Sequence, residues 1–204
     1  MKILSSLTAA IVIGTSLMTG CTNPLETQYL NQGVEKHKAG NYQGAIDDWS
    51  KAIEINPQNA IAYNNRGSAK DDLGDHQGAI TDYTKAIEIN PRDADFYYNR
   101  GYVKDNLEDY QGAIADYNKA IEINPQHVAA YQLRGSSKFT LGDIQGAIAD
   151  YTKVIEIDPQ DANAYQLRGI ARELVNDLEG ACRDWRKAAD LGDERSAEWV
   201  NNQC

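Results

Sequence analysis

Residues 60–93 read AIAYNNRGSAKDDLGDHQGAITDYTKAIEINPRD, and most of the chain is this stretch written again. Gly67 recurs every 34 residues, as Gly33, Gly101, Gly135 and Gly169. Tyr63 keeps the same step as Tyr29, Tyr97, Tyr131 and Tyr165, and Ala79 keeps it as Ala45, Ala113, Ala147 and Ala181. Four residues after each of these alanines stands a large aromatic: Trp49, Tyr83, Tyr117, Tyr151 or Trp185. Pro57, Pro91, Pro125 and Pro159 close four of the units, and Asp193 stands where a fifth proline would fall. The copies run over 26–59, 60–93, 94–127, 128–161 and 162–195, together 170 of 204 residues. A fixed period of this length predicts stacked repeats in place of one globular core.

Each unit also announces its secondary structure. Tyr63, Gly67 and Lys70 fall at helical spacing, and Gly74 offers a residue able to take the left-handed conformation that stops a helix. Asp75 is placed to cap a second helix, in which Ala79, Ile80, Tyr83, Ala86 and Ile87 form one apolar stripe. Asn90-Pro91 ends it, because a residue before proline is pushed out of the helical region. No strand-like alternation is present, so the unit reads as a helical hairpin.

At Tyr63, Gly67, Ala79, Tyr83, Ala86 and Pro91, repeated in register, the chain resembles the tetratricopeptide repeat family. That resemblance implies an all-α fold: an α-solenoid of five 34-residue helix-turn-helix (TPR) units, with residues 196–204 as a capping segment carrying Ala197, Trp199 and Val200. The small residues allow two backbones to approach, and the aromatics fill the space towards the next unit. Where the family often has leucine before the glycine, this chain has Arg66, Arg100, Arg134 and Arg168. These arginines can reach Asp82, Asp116, Asp150 and Asp184, a ladder expected to be partly exposed and modest in energy.

In a solenoid of this type the first helices line the concave face. One column along it reads Asn31, Asn65, Asn99, then Leu133 and Leu167. The asparagines resemble the ladder with which some tetratricopeptide superhelices hold an extended peptide, since an amide both donates to C=O and accepts from N–H. The plain alternative is a row of solvated asparagines. Beside them Tyr98, Tyr102, Phe139, Gln132 and Gln166, with Asp71, Asp72, Asp95 and Asp105, suggest a partner with apolar and basic side chains. Tyr102 and Phe139 could instead pack between neighbouring helices. The cationic clamp that some members use for a C-terminal carboxylate is missing, since the corresponding positions hold Leu30, Val34, Asn65, Asp95 and Asn99.

The chain begins with Lys2, an uncharged run from Ile3 to Gly20, and Cys21. Met18-Thr19-Gly20-Cys21 resembles the lipobox of bacterial lipoproteins, which implies a signal peptide over 1–20, acyl chains on Cys21 and a short linker over 21–25. A cleaved secretory leader and an uncleaved anchor are the alternatives; eight of the 18 residues in the run are Ser, Thr or Gly, which makes a poor span. Thr22 lacks the aspartate that favours inner-membrane retention in enteric bacteria, so the periplasmic side of an outer membrane is the expected address. A net charge of −10 argues against nucleic acid and against direct adhesion to an anionic membrane.

No nucleotide loop, zinc-protease helix or serine elbow is present, and His37, His76 and His127 occupy three different repeat positions. No catalysis, metal or cofactor is therefore expected. Cys182 falls at a core position and Cys204 is the last residue; a buried thiol and a Cys182–Cys204 bridge both remain open. The expected function is a lipid-tethered adaptor that binds a segment of another protein in the groove. The alternative is a structural subunit of a fixed envelope machine, joined by its convex face or by end-to-end stacking.

Overall fold

The computed structural model describes residues 23–204, whose regular elements are eleven helices. The leader and Cys21 lie outside these residues. In order they are α1 (Pro24–Lys38), α2 (Tyr42–Ile55), α3 (Ala60–Asp72), α4 (His76–Ile89), α5 (Ala94–Asn106) and α6 (Tyr110–Ile123). There follow α7 (Val128–Thr140), α8 (Ile144–Ile157), α9 (Ala162–Leu174), α10 (Leu178–Asp190) and α11 (Glu194–Gln203). The first ten pair into five antiparallel hairpins, each packed on the next, in the solenoid the repeat predicts. From α1 to α7, successive first helices come closer to one another than successive second helices do, which puts the first helices on the inside of the curve.

Local chemistry sets the boundaries. Asn41, Asp75, Asp109, Asp143 and Asp177 cap the second helices, each accepting from the backbone N–H of the glycine three residues on. Asn23 caps α1 and Pro24 opens it, where a missing N–H costs nothing. Two of the five residues read as a linker, Pro24 and Leu25, are therefore helical. The hairpin turn needs a left-handed residue, supplied by Gly40 (φ 76°), Gly74 (82°) and Gly142 (84°). In the third and fifth units Glu108 (φ 63°) and Asn176 (62°) hold that conformation without being glycine.

Within a hairpin the aromatic of the second helix lies flat against the glycine of the first. A Cβ on Gly67 would stand 3.0 Å from the Tyr83 ring, and on Gly135 2.8 Å from that of Tyr151. Between hairpins the alanine and aromatic of one second helix meet a small or branched residue of the next first helix: Ala79 and Tyr83 meet Val103, and Ala147 and Tyr151 meet Ala171.

The arginine ladder pairs as expected but is not a surface feature. Asp48, Asp82, Asp116, Asp150 and Asp184 are 2–4% exposed. Arg100 grips Asp116 with two hydrogen bonds (2.9 and 2.7 Å), and Lys104 adds a third at 2.7 Å. Arg66 with Lys70, Arg134 with Lys138, and Arg168 with Arg172 repeat the arrangement. The remaining guanidinium nitrogen reaches back to the preceding second helix, from Arg66 to Ser50, Arg100 to Thr84, Arg134 to Asn118 and Arg168 to Thr152. In the third unit the carboxylate's own Cβ lies 3.2 Å from where a Cβ on Gly101 would stand, so the glycine leaves room for Asp116 at the helix contact.

Among the described residues the outer units differ from the inner ones. Where inner units bury Ala62 and Ala69 against the preceding hairpin, α1 exposes Gln28 and Glu35. At the C-terminal end α11 lays Trp199 on Trp185, ring centres 5.3 Å apart, and a Cys182–Cys204 disulfide ties the residue after α11 to α10. Its exposed residues include Glu198, Asn201 and Asn202.

Two outcomes follow. Glu108→Gly should raise stability by about 0.5–1 kcal/mol, since it relieves a left-handed glutamate that no buried contact requires; chemical denaturation that shows no gain would refute the strain. Asp116→Ala should cost about 3 kcal/mol by leaving Arg100 and Lys104 half-buried and unpaired, whereas Glu88→Ala on the surface should change stability by no more than about 0.5 kcal/mol.

Candidate functional site

The inner wall is formed by one face of α1, α3, α5, α7 and α9. Its asparagines are joined to one another: Asn99 Nδ2 donates to Asn64 Oδ1 (2.9 Å), and Asn64 Nδ2 donates to Asn65 Oδ1 (3.4 Å). Asn31 stays exposed and outside this chain of amides. Asn64 was not among the expected wall residues, although it stands one repeat before Tyr98 at the position that Gln132 and Gln166 also occupy.

Several expected wall residues turn towards the joints between units. Gln166 is 3% exposed, its amide donating to Asp193 Oδ2 (2.6 Å) and accepting from Arg195 (3.2 Å), so it belongs to the seat of α11 and not to the groove. Tyr98, at the same repeat position as Gln132 and Gln166, is half-buried against His127, ring centres 4.9 Å apart, and against Tyr117. Burial pushes its hydroxyl above the ordinary tyrosine value, with Tyr102 and Asp95 adding to the effect. Gln132 is half-buried on α7. Phe139 packs on Ala147, Tyr151 and Ala171 beside Leu167, the core role weighed against groove binding. Tyr102 alone among the expected aromatics stands out into solvent, 42% exposed.

The wall's carboxylates differ from the buried ones in their company. Asp71 meets His76 and Asp72 meets His37, both at 2.7 Å, and Asp105 accepts from Ser137. Asp95 lies 3.4 Å from His127 Nε2. The other ring nitrogen of His127 accepts from the Ala130 N–H, which assigns the proton of the neutral ring to the side facing Asp95. Among the described residues, no lysine or arginine is ion-paired with any of these four carboxylates. The centre of the wall is therefore acidic, amide-rich and marked by one exposed tyrosine. No cluster of three or more candidate metal ligands occurs among the described residues, and none of the described helices is long and apolar enough to cross a membrane.

Hairpins stacked at a 34-residue step, with glycine under an aromatic in each, define a helical-repeat scaffold with an open inner face. The chain belongs to the tetratricopeptide repeat family. A TPR-repeat profile matches residues 33–70, 72–105 and 135–174, and a second tetratricopeptide-repeat profile matches 94–127. Among solved structures it is similar to the crystal structure of MamA protein, with 28% identity and a TM-score of 0.76 over 86% of this chain and 95% of that one. It is similar also to YrrB, described as a TPR protein with an unusual peptide-binding site (23% identity, TM-score 0.72, 85% and 90% covered). Pseudomonas aeruginosa PilF shares the fold at 18% identity and a TM-score of 0.75, over 84% and 79% of the two chains. No curated protein matches the sequence.

Asp193 makes the seat of α11 sensitive to pH. Burial works to raise its carboxyl, but hydrogen bonds from Ser196 and Gln166 and the charge of Arg195 outweigh it, and the group lies below the usual aspartate value. A depressed carboxylate contributes stability above its unfolded pKa of about 3.9 and loses that contribution as pH falls through the folded value. Acidification below about pH 4 should thus loosen α11, read as a change in tryptophan fluorescence from the Trp185–Trp199 pair. In Asp193→Asn that step should flatten; identical profiles would show that Asp193 does not hold the cap.

Proposed function

We propose that this chain is a membrane-tethered adaptor. Its inner wall binds a segment of a partner protein, and acyl chains on Cys21 hold the solenoid at an envelope membrane, on the periplasmic side of an outer membrane by the residue after the cysteine. The observation that carries the binding half is the division of charge. Every buried aspartate is met by lysine or arginine, while the carboxylates at the centre of the wall face only histidines and a serine. An acidic face around an exposed tyrosine suits a partner that brings cations and apolar groups.

The tether rests on the lipobox-like Met18-Thr19-Gly20-Cys21. Helix α1 starts at Pro24, so only Thr22 and Asn23 would separate the lipid from the first hairpin and the wall would sit close to the bilayer. Two or more acyl chains make such an anchor firm, where one alone is marginal. An acidic solenoid this near an anionic surface stands away from it, which leaves the groove open.

A photo-crosslinker at Tyr102 in intact cells should attach a discrete partner protein, and one at Gln111 on the second helix α6 should not. Recovery of only the chain itself or lipid from Tyr102 would overturn the adaptor. Metabolic labelling with a radioactive fatty acid should mark the wild-type chain and not Cys21→Ala; equal labelling of both would remove the tether.

A further inference from the structure

Two hollows in the inner wall are built from the same repeat positions. The first, about 230 Å³, lies between α1 and α3 and is lined by Val34, His37, Lys38, Trp49, Asn65 and Ser68. The second, about 170 Å³, lies between α7 and α9 and is lined by Ser136, Phe139, Thr140, Tyr151, Leu167 and Ile170. Advancing each residue of the first by three repeats gives the corresponding residue of the second, all six without exception. Each floor is a buried aromatic, Trp49 at 2% and Tyr151 at 1% exposure. Both fall below the roughly 300–1,000 Å³ of small-molecule sites, and suit a single apolar side chain.

The units between them are different at these positions. In the third unit the place of Val34 and Ser136 is taken by Tyr102. Where the pockets have His37 and Lys38, or Phe139 and Thr140, the middle units have Asp71 and Asp72, then Asp105 and Asn106. The wall thus runs apolar pocket, acidic span, apolar pocket, with the Asn64–Asn65–Asn99 amides leading out of the first pocket.

We propose that the two pockets are paired anchor sites for one extended segment of a partner protein, apolar at both ends and basic between. This rests on the reading of the inner wall as the binding face. The acidic span selects the occupant: it attracts lysine and arginine and repels an anionic bilayer. The geometry also fixes a spacing. Helices in contact pack about 8–10 Å apart, so three steps along the first helices cover about 25–30 Å. An extended chain advances about 3.3 Å per residue, which places the two anchors about eight or nine residues apart.

The test is selection from a displayed library of random peptides of about 16 residues against the full chain in detergent, compared with variants. Tyr102 shows that the fold accepts tyrosine at this repeat position, so Ser68→Tyr and Ser136→Tyr would plug the pockets one at a time. Because Ser136 also bonds the Tyr151 hydroxyl, Thr140→Glu at the exposed rim serves as a second variant for the far pocket. Selected peptides should carry two apolar residues about eight or nine apart with lysine or arginine between. Each plug should weaken them at least about tenfold and erase the preference at one end only. Peptides with one anchor, scattered spacing, or indifference to both plugs would overturn the paired sites, while the groove reading stands if Tyr102→Ala still weakens them. Failure to enrich any peptide, or binding indifferent to Tyr102 and to both pockets, would overturn the groove reading too.

Discussion

A carboxylate carried into the interior must be met by cations, and this solenoid repeats that requirement once per hairpin. Asp116 shows the full arrangement: two bonds from Arg100, one from Lys104, and a third guanidinium nitrogen of Arg100 tied back to Thr84 of the preceding hairpin. One polar node therefore fixes three helices, the two of its own unit and the second helix of the unit before. Arginine suits the place because its planar fork meets a carboxylate with two parallel bonds and still has a donor to spare; it also lies over the ring of the tyrosine three residues earlier, 5.9 Å from Tyr97 in this unit. The first unit bears out the logic. Among the described residues no helix precedes it, Gln32 replaces the arginine, and Asp48 is left with Lys36 and Lys51.

How much of this could be read from the chain depends on the distance over which each feature is decided. Helix ends were legible because their causes are adjacent in sequence: Asp75 and Gly78, Leu73 and Gly74, Asn90 and Pro91. The hairpin and its stacking were legible because the period repeats them. The depth of Asp82 was not, since an aspartate on a helix face looks the same solvated or enclosed. Enclosure is decided by Arg66 sixteen residues earlier and by the approach that Gly67 permits. The position shared by Tyr98, Gln132 and Gln166 is harder still. It looks like groove in the repeat pattern, but Tyr98 meets His127 and Gln166 meets Asp193, each the cap of the helix that follows its own hairpin. A repeated pattern conceals such differences because each copy inherits the register but not the neighbour. The disulfide stayed open for a similar reason: nothing in the spacing of Cys182 and Cys204 says that α11 folds back onto α10.

What the copies share and where they differ divides the molecule. The glycine, the first aromatic, the second-helix alanine, the buried aspartate and the large aromatic of the second helix recur in all five units, and each has a packing or charge-pairing cause. The positions of Asn65, Ser68, Asp71 and Asp72 face the inner curve, and they change from unit to unit: amide to leucine, serine to tyrosine to isoleucine, aspartate to phenylalanine. The same backbone carries every version, with local partners adjusted to each: Phe139 packs on Tyr151 where Asp105 accepts from Ser137 and Asp71 meets His76. This variation lies on the inner face, and along the rod it runs from an apolar hollow through an acidic span to a second apolar hollow, the order on which the proposed binding reading rests.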